Sequence, residues 1–298
     1  MSDPKILTTK EVARLCRVSD ATVKRWEEAG LLRSERTSGG HRRFRTDEIT
    51  RFQREMNLGL KQCHGDDSAI KAATTRRTRK TDCRTSLFHT LIAGREEESS
   101  EMLIHAFLHG ELLPDIFDGV MRETMTQIGE MWVRGELTIA QEHLATRTLI
   151  NALQKLRAIV PVPKMNDKLA MCCAVEGDFH ELPTHLIQIT LESLGWEVLN
   201  FGANTPLFAL ADEVSQHAPE MVCIASTVMP DLERLSRDYK KLRADMMKMN
   251  VAVVLGGRGF SDENIQHRFP ADLHAGSFSE LLDFSHNLNK TPEKAIAA

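Results

Sequence analysis

Residues 169–183 read LAMCCAVEGDFHELP, and they lead from an unbroken apolar run through a polar loop to the start of a helix. Seven apolar residues in succession predict a strand buried on both faces, as in a parallel sheet. The loop after this strand carries Asp178 and His180, and Pro183 suits the first turn of a helix. The stretch therefore predicts a β–α unit with a polar pair at the carboxyl end of its strand.

The same alternation continues through residues 168–298. Further apolar runs predict strands at residues 196–201, 221–225, 252–255 and 271–274, and amphipathic stretches between them predict helices. Repeated β–α units predict a doubly wound parallel sheet, Rossmann-like or flavodoxin-like, and such sheets bind ligands at the carboxyl ends of their strands.

Three groups of residues fall at that edge of the predicted sheet. They are Asp178 and His180 after the first strand, Ser226 and Thr227 after the third, and Gly256 and Gly257 after the fourth. A carboxylate two residues from a histidine can accept the proton of one ring nitrogen and leave the other nitrogen to bind a metal. Glycines allow the backbone to approach a ligand closely.

This pattern resembles the cobalamin-binding domain of methionine synthase and its relatives, which reads Asp-x-His-x-x-Gly, then Ser-x-Leu, then Gly-Gly. The resemblance implies that His180 is the lower axial ligand of cobalt, and that the displaced dimethylbenzimidazole tail enters a channel beside the serine and the glycines. The chain departs from the motif at two positions: Pro183 stands where the family has Gly, and Val228 where it has Leu.

Residues 85–160 contain four amphipathic stretches with short connections, which predict an antiparallel four-helix bundle. Trp132 is followed after nine residues by Glu142 and His143. This spacing resembles the helical cap of cobalamin-dependent photoreceptor repressors of the CarH/LitR type. The resemblance implies that these three residues surround the adenosyl group of adenosylcobalamin. Val133 is a departure, because this family has a histidine there that can bind cobalt after illumination.

Residues 1–58 predict a small DNA-binding domain. Thr8 and Glu11 form a capping-box pattern before a short helix, a second helix ends at Gly30, and a basic hairpin surrounds residues 38–40. Helix, turn, helix and hairpin in this order predict a winged helix-turn-helix. The candidate DNA-binding residues are Thr22, Lys24, Arg25, His41, Arg42 and Arg43. The segment resembles the MerR-type regulators, which implies a dimer on double-stranded operator DNA.

Charge and composition agree with a DNA-binding head. Residues 1–86 hold 20 Lys and Arg against 12 Asp and Glu, whereas the rest of the chain holds 18 against 30. A basic N-terminal segment followed by an acidic remainder favours a polyanionic partner for the N-terminal segment. Residues 59–84 are polar and rich in Thr, Lys and Arg, and we expect a flexible basic linker there. The chain has no apolar run long enough for a membrane span and no C-x-x-C pair. We expect a reduced, cytoplasmic, nucleoid-associated protein.

A winged helix-turn-helix, a helical bundle and an α/β domain in this order predict a multidomain α and α/β protein that regulates transcription. Repression is the expected direction. Cobalamin, most simply adenosylcobalamin, is the expected cofactor, and a homo-oligomer that responds to light is the expected assembly. Several alternatives remain open: activation, a dimer or a tetramer, another tetrapyrrole, no ligand at all, or a corrinoid methyl carrier. No nucleophile–base arrangement typical of an enzyme is recognisable, so we expect a binding protein.

Overall fold

The computed structural model describes residues 6–15, 20–37, 39–46, 48–49, 51–52, 86–229 and 231–290. The chain divides into two compact units, Met1–Pro161 and Val162–Ala298. The predicted linker, residues 59–84, lies outside the described residues. The finer division of the chain into residues 1–58, 59–84, 85–160 and 168–298 stays a prediction.

The first unit begins with a winged helix-turn-helix. Its elements are β1 (Ile6–Thr8), α1 (Thr9–Leu15), α2 (Asp20–Glu28), β2 (Glu35–Arg36) and β3 (Arg42–Arg45). The three strands form an antiparallel sheet in the order β1-β3-β2. Thr8 caps α1 as predicted, because its backbone N–H donates to Glu11 Oε2 at 2.7 Å and its Oγ1 accepts from the Glu11 N–H at 3.3 Å.

A small apolar core holds this domain together. Val23 of α2, Phe44 of β3 and Phe52 of a further helical segment are fully buried. The Trp26 ring packs against Phe52 with their centroids 4.9 Å apart. Strand β1 was not predicted, because three residues are too few to show an alternating pattern. The predicted hairpin is confirmed as β2 and β3.

The helical part of the first unit follows the predicted pattern. Residues 86–92 are helical, and they precede α3 (Glu96–Leu108), α4 (Leu113–Ile116), a π-helical turn (Phe117–Met121), α5 (Arg122–Val133) and α6 (Ile139–Arg157). The start of α3 lies beside the end of α6, since Lys155 contacts Glu96 at 2.8 Å and Glu97 at 2.7 Å. These two helices are therefore antiparallel.

The second unit is a five-stranded parallel sheet. Its strands are β4 (Leu169–Ala174), β5 (Glu197–Asn200), β6 (Met221–Ala225), β7 (Ala252–Gly256) and β8 (Leu273–Ala275), in the order β5-β4-β6-β7-β8. Its helices are α7 (Leu182–Glu192), α8 (Leu207–His217), α9 (Leu232–Lys248), α10 (Glu263–Arg268) and α11 (Phe278–Lys290). The predicted α/β fold is confirmed.

Alternate residues of β4 face two separate cores. Met171 and Cys173 pack in one core with residues of α8 and α9, whereas Ala170 and Cys172 pack in the other with residues of α7 and α11. Because β4 and β6 are neighbours, and the helices that follow them cover opposite faces, the chain changes direction between these strands. A crevice for ligands opens at such a point, outside the carboxyl ends of the two strands.

Candidate functional site

The loops after β4, β6 and β7 meet at this change of direction. Asp178, in the first loop, accepts a hydrogen bond from the Thr227 N–H of the second at 2.5 Å. Ser226 connects the second and third loops, because its N–H donates to the Gly256 oxygen at 2.9 Å and its own carbonyl oxygen accepts from the Gly259 N–H at 2.7 Å. The residues predicted at this edge of the sheet are thus brought together.

Asp178 and His180 form a closely coupled pair. His180 Nδ1 lies 2.6 Å from Asp178 Oδ1, and the same oxygen accepts the His180 backbone N–H at 3.0 Å. The aspartate is fully buried, whereas the imidazole is 51% exposed. A proton held on Nδ1 by the carboxylate puts the ring's lone pair on Nε2, which is the arrangement of a metal-binding histidine.

Asp178 is ionised in its buried position. Burial acts to raise the pKa of its carboxyl group, but the hydrogen bonds from the His180 side chain and the Thr227 N–H outweigh burial and hold the pKa below its usual value. Oδ2 also lies 3.4 Å from the Val228 N–H. The carboxylate therefore connects the histidine to the backbone of the loop after β6.

Asn204, in the loop after β5, is a structural residue that was not predicted. Its side-chain Oδ1 accepts from the Gly177 N–H at 2.8 Å, and its N–H donates to the Asp178 carbonyl oxygen at 2.9 Å. Asn204 has a φ of 54°, a conformation that asparagine tolerates better than most residues. The loop that carries the Asp–His pair is consequently held from two sides.

The glycine-rich turn after β7 lies tightly against Ser226. Gly257 has a φ of 94°, and a Cβ there would collide with the Ser226 carbonyl oxygen. A Cβ on Gly259 would collide with Ser226 Oγ. Ser226 itself is fully buried and its hydroxyl donates to the Val228 carbonyl oxygen at 2.7 Å. Gly259 was missed, although the sequence Gly-Gly-Arg-Gly was a visible signal for it.

Pro183 is compatible with this geometry. It lies in the first turn of α7, after the N-cap residue Glu181, where a backbone N–H has no partner within the helix. The departure from the family motif therefore introduces no break in α7.

In the first unit, Trp132 and Val133 end α5, and Glu142 and His143 lie in the first turns of α6. Trp132 is 45% exposed and is therefore not a core aromatic residue of the bundle. The Glu142 Oε1 accepts from Thr146 at 2.9 Å, and Oε2 lies 3.7 Å from His143 Nε2. His143 and the indole ring are thus exposed at the surface of this unit, whereas the Glu142 side chain is only 23% exposed.

Of the predicted DNA-binding residues, Thr22, Lys24 and Arg25 lie on α2, and the side chains of Lys24 and Arg25 are exposed. The wing is the hairpin formed by β2 and β3. On the wing, His41 is exposed, whereas Arg42 and Arg43 are half-buried. Arg43 donates to the Arg42 carbonyl oxygen at 3.1 Å. Arg42 instead reaches α2, where its Nε donates to Glu27 Oε2 at 2.8 Å.

Two family models match the chain. The model described as MerR family regulatory protein covers residues 8–44, and the model described as B12 binding domain covers residues 84–157. These two matches support a MerR-type regulator that also carries a cobalamin-binding domain. Over most of its length it is similar to the HTH-type transcriptional repressor CarA of Myxococcus xanthus, with 26% identity over 293 residues, which cover 93% of this chain and 94% of CarA.

Other similarities cover a smaller part of the chain. Dimethylamine corrinoid protein 1 of Methanosarcina acetivorans is 22% identical over 176 residues, 58% of this chain and 82% of that protein. The solved structure of the Methanosarcina barkeri monomethylamine corrinoid protein matches 68% of this chain and 96% of its own, with a TM-score of 0.57 and 16% identity. This structural likeness shows a shared fold.

The described residues contain no group of three or more His, Cys, Asp or Glu side chains that could together hold a metal ion. None of the helices described here is both long and apolar enough to cross a membrane.

Proposed function

We propose that this chain is a transcriptional repressor that binds operator DNA as a homo-oligomer and responds to adenosylcobalamin and to light. The observation that carries the proposal is the Asp178–His180 pair, which is anchored through the Thr227 N–H at the point where the sheet changes direction. A strand-end histidine with an ionised, buried carboxylate on Nδ1 is the chemistry expected of an axial metal ligand.

The residues of the second unit fit cobalamin. His180 Nε2 would bind cobalt, and Asp178 would orient the imidazole ring. Ser226, Thr227, Gly256 and Gly257 would border the space for the nucleotide tail. Gly257 keeps the loops after β6 and β7 close together, because a side chain there would displace the Ser226 backbone. Cobalamin in its adenosyl form would supply a cobalt–carbon bond that green light can break.

The first unit would supply the remaining functional residues. Trp132, Glu142 and His143 would contact the adenosyl group, and the exposure of Trp132 supports this assignment. Val133 cannot bind cobalt, so light cannot produce a cobalt adduct at this position. A response to light would instead shift the population of oligomeric states of the protein.

DNA binding would use the two exposed elements of the winged helix-turn-helix. Thr22, Lys24 and Arg25 on α2 would enter the major groove, and His41 and Arg43 on the wing would contact phosphates. The cytoplasmic, nucleoid-associated location expected from the sequence follows from this role.

Replacement of the proposed axial ligand provides the first test. His180→Ala is expected to weaken adenosylcobalamin binding more than about tenfold and to change the visible spectrum of the bound ligand. His217→Ala is the matched control, because His217 ends α8 at the opposite edge of the same unit and pairs with Glu213. An unchanged spectrum and affinity for His180→Ala would refute the axial assignment.

Illumination provides the second test. The full chain, reconstituted with adenosylcobalamin in darkness, is expected to change its size on gel filtration after green light and to lose operator affinity. A bound corrinoid without any change of size or affinity would leave a cobalamin-binding regulator that does not respond to light. Absence of binding by any corrinoid would favour a domain that only oligomerises. A corrinoid methyl carrier is the weaker alternative, since a carrier has no use for a DNA-binding domain.

A further inference from the structure

A cluster of hydrogen bonds joins the wing to the end of α2. Glu27, in the last turn of α2, accepts from Arg42 Nε at 2.8 Å through Oε2 and from Ser34 Oγ at 2.8 Å through Oε1. Arg42 Nη2 also donates to Glu28 Oε1 at 3.1 Å. We name Glu27, Ser34 and Arg42 the wing clamp, because Ser34 precedes β2 and Arg42 begins β3.

The clamp is partly shielded from solvent. The side chains of Glu27 and Arg42 are only 14% and 19% exposed, whereas the neighbouring Arg36, 3.5 Å from Glu27, is 57% exposed. The hydrogen bond from Arg42, followed by that from Ser34, holds the pKa of Glu27 below its usual value. The carboxylate thus remains charged near neutral pH, and the Arg42 guanidinium is held by two carboxylates.

The alternation of β3 places Arg42 on the inner side of the wing. Residues two apart in a strand share a face, so Arg42 lies on the same face as the fully buried Phe44. Arg43 and the exposed Arg45 lie on the other face. Arg42 therefore points toward α2, although the sequence alone marks it as one of several wing cations.

We propose that Arg42 is a positioning residue, which sets the angle of the wing on the DNA-reading helix through Glu27 and contributes no phosphate contact. This assignment rests on the proposed DNA-binding function. A protein that contacts a major groove with one element and the flanking backbone with another needs both at a defined separation. The clamp supplies that separation, because it bonds both sides of the hairpin to a single side chain of α2.

Removal of the Glu27 charge is expected to weaken DNA binding, which is opposite to the usual effect of removing a negative charge. Removal of a negative charge from a DNA-binding surface normally strengthens binding, because it reduces repulsion of phosphates. Glu27→Gln is expected to weaken binding about tenfold, because the amide loses the charged hydrogen bond to Arg42. Glu35→Gln is the matched control, since Glu35 is an exposed acidic residue on the wing and the charge change is identical. It should leave affinity unchanged or slightly improved.

The experiment uses the full chain and a fluorescent duplex selected from a random pool by the wild-type protein. Anisotropy titrations over a series of KCl concentrations give the affinity and its salt slope for Glu27→Gln, Arg42→Gln, the double variant and Lys24→Gln. The slope is that of the logarithm of the binding constant against the logarithm of the KCl concentration, and loss of one phosphate contact reduces its magnitude by about 0.9. Thermal melts verify that each variant is folded.

The expected result is that Glu27→Gln and Arg42→Gln each weaken binding with the wild-type slope, and that the double variant is no weaker than either. Lys24→Gln should lower the slope. Tighter binding by Glu27→Gln would show that DNA binding does not need the clamp, and a slope reduced in magnitude by about 0.9 in Arg42→Gln would show that Arg42 contacts phosphate. Either result would overturn the assignment. Failure of the wild-type chain to select or bind any duplex would instead overturn the proposed function, and the assignment with it.

Discussion

Replacement of Asp178 by Asn tests the centre of the candidate site. The two side chains have nearly the same shape, but the amide has one acceptor oxygen where the carboxylate has two. In the wild-type protein, Asp178 Oδ1 accepts from the side chain and backbone N–H of His180, and Oδ2 accepts from the Thr227 N–H. In either orientation of the amide, at least one of these N–H groups faces an NH₂ group and loses its acceptor.

The magnitude follows from these lost bonds. A buried donor without a partner costs about 1–3 kcal/mol, and hydrogen bonds to a charged acceptor contribute about 1.5–3 kcal/mol. We expect Asp178→Asn to lower the free energy of unfolding of the second unit by about 2 kcal/mol. With a urea dependence of about 2 kcal/mol per molar, the midpoint falls by about 1 M. If His180 binds cobalt as proposed, the affinity for adenosylcobalamin should also fall about 10- to 100-fold, which is the usual effect of removing the hydrogen-bond partner of a metal-binding histidine.

Trp196 makes the measurement specific to the second unit. It is buried in that unit, and the other two tryptophans, Trp26 and Trp132, precede residue 162. Urea titrations in a Trp26→Phe and Trp132→Phe background, followed by fluorescence, therefore report on the α/β unit alone. Asp262→Asn is the matched control, because Asp262 caps α10 and asparagine is an equally good N-cap. An Asp178→Asn midpoint within error of the wild type would refute the reasoning.

The folded-state pKa of Asp178 is lowered, so the stabilising effect of its carboxylate is complete above the unfolded pKa of about 3.9 and is lost as the pH falls through the folded pKa. The difference in urea midpoint between wild type and Asp178→Asn should therefore shrink below about pH 4. A difference that stays constant with pH would contradict this. Gly257→Ala should destabilise the second unit by at least about 1 kcal/mol, because of its φ of 94° and the Ser226 carbonyl. Gly276→Ala, where a Cβ makes only ordinary contacts, should have little effect in the same titration.

Much of the fold was predictable because periodicity records burial. The apolar run at residues 169–175 indicated a strand covered on both faces, and β4 is such a strand. Parallel strands also have their carboxyl ends at one edge, so the grouping of Asp178, Ser226 and Gly256 required no knowledge of the strand order. Thr8 and Glu11 indicated the start of α1 because both halves of a capping box lie within four residues.

The partners of these residues were decided only by the tertiary structure. Asp178 accepts from the Thr227 N–H, 49 residues away, because β4 and β6 are neighbours in the sheet. Arg42 bonds to Glu27 because the wing folds back onto α2. A local pattern indicates which side chains are buried, polar or charged, but a hydrogen bond across the chain depends on which loops and faces come together. The sequence by itself therefore determined the order of elements and the candidate residues, and the tertiary structure determined the hydrogen-bond partners of those residues.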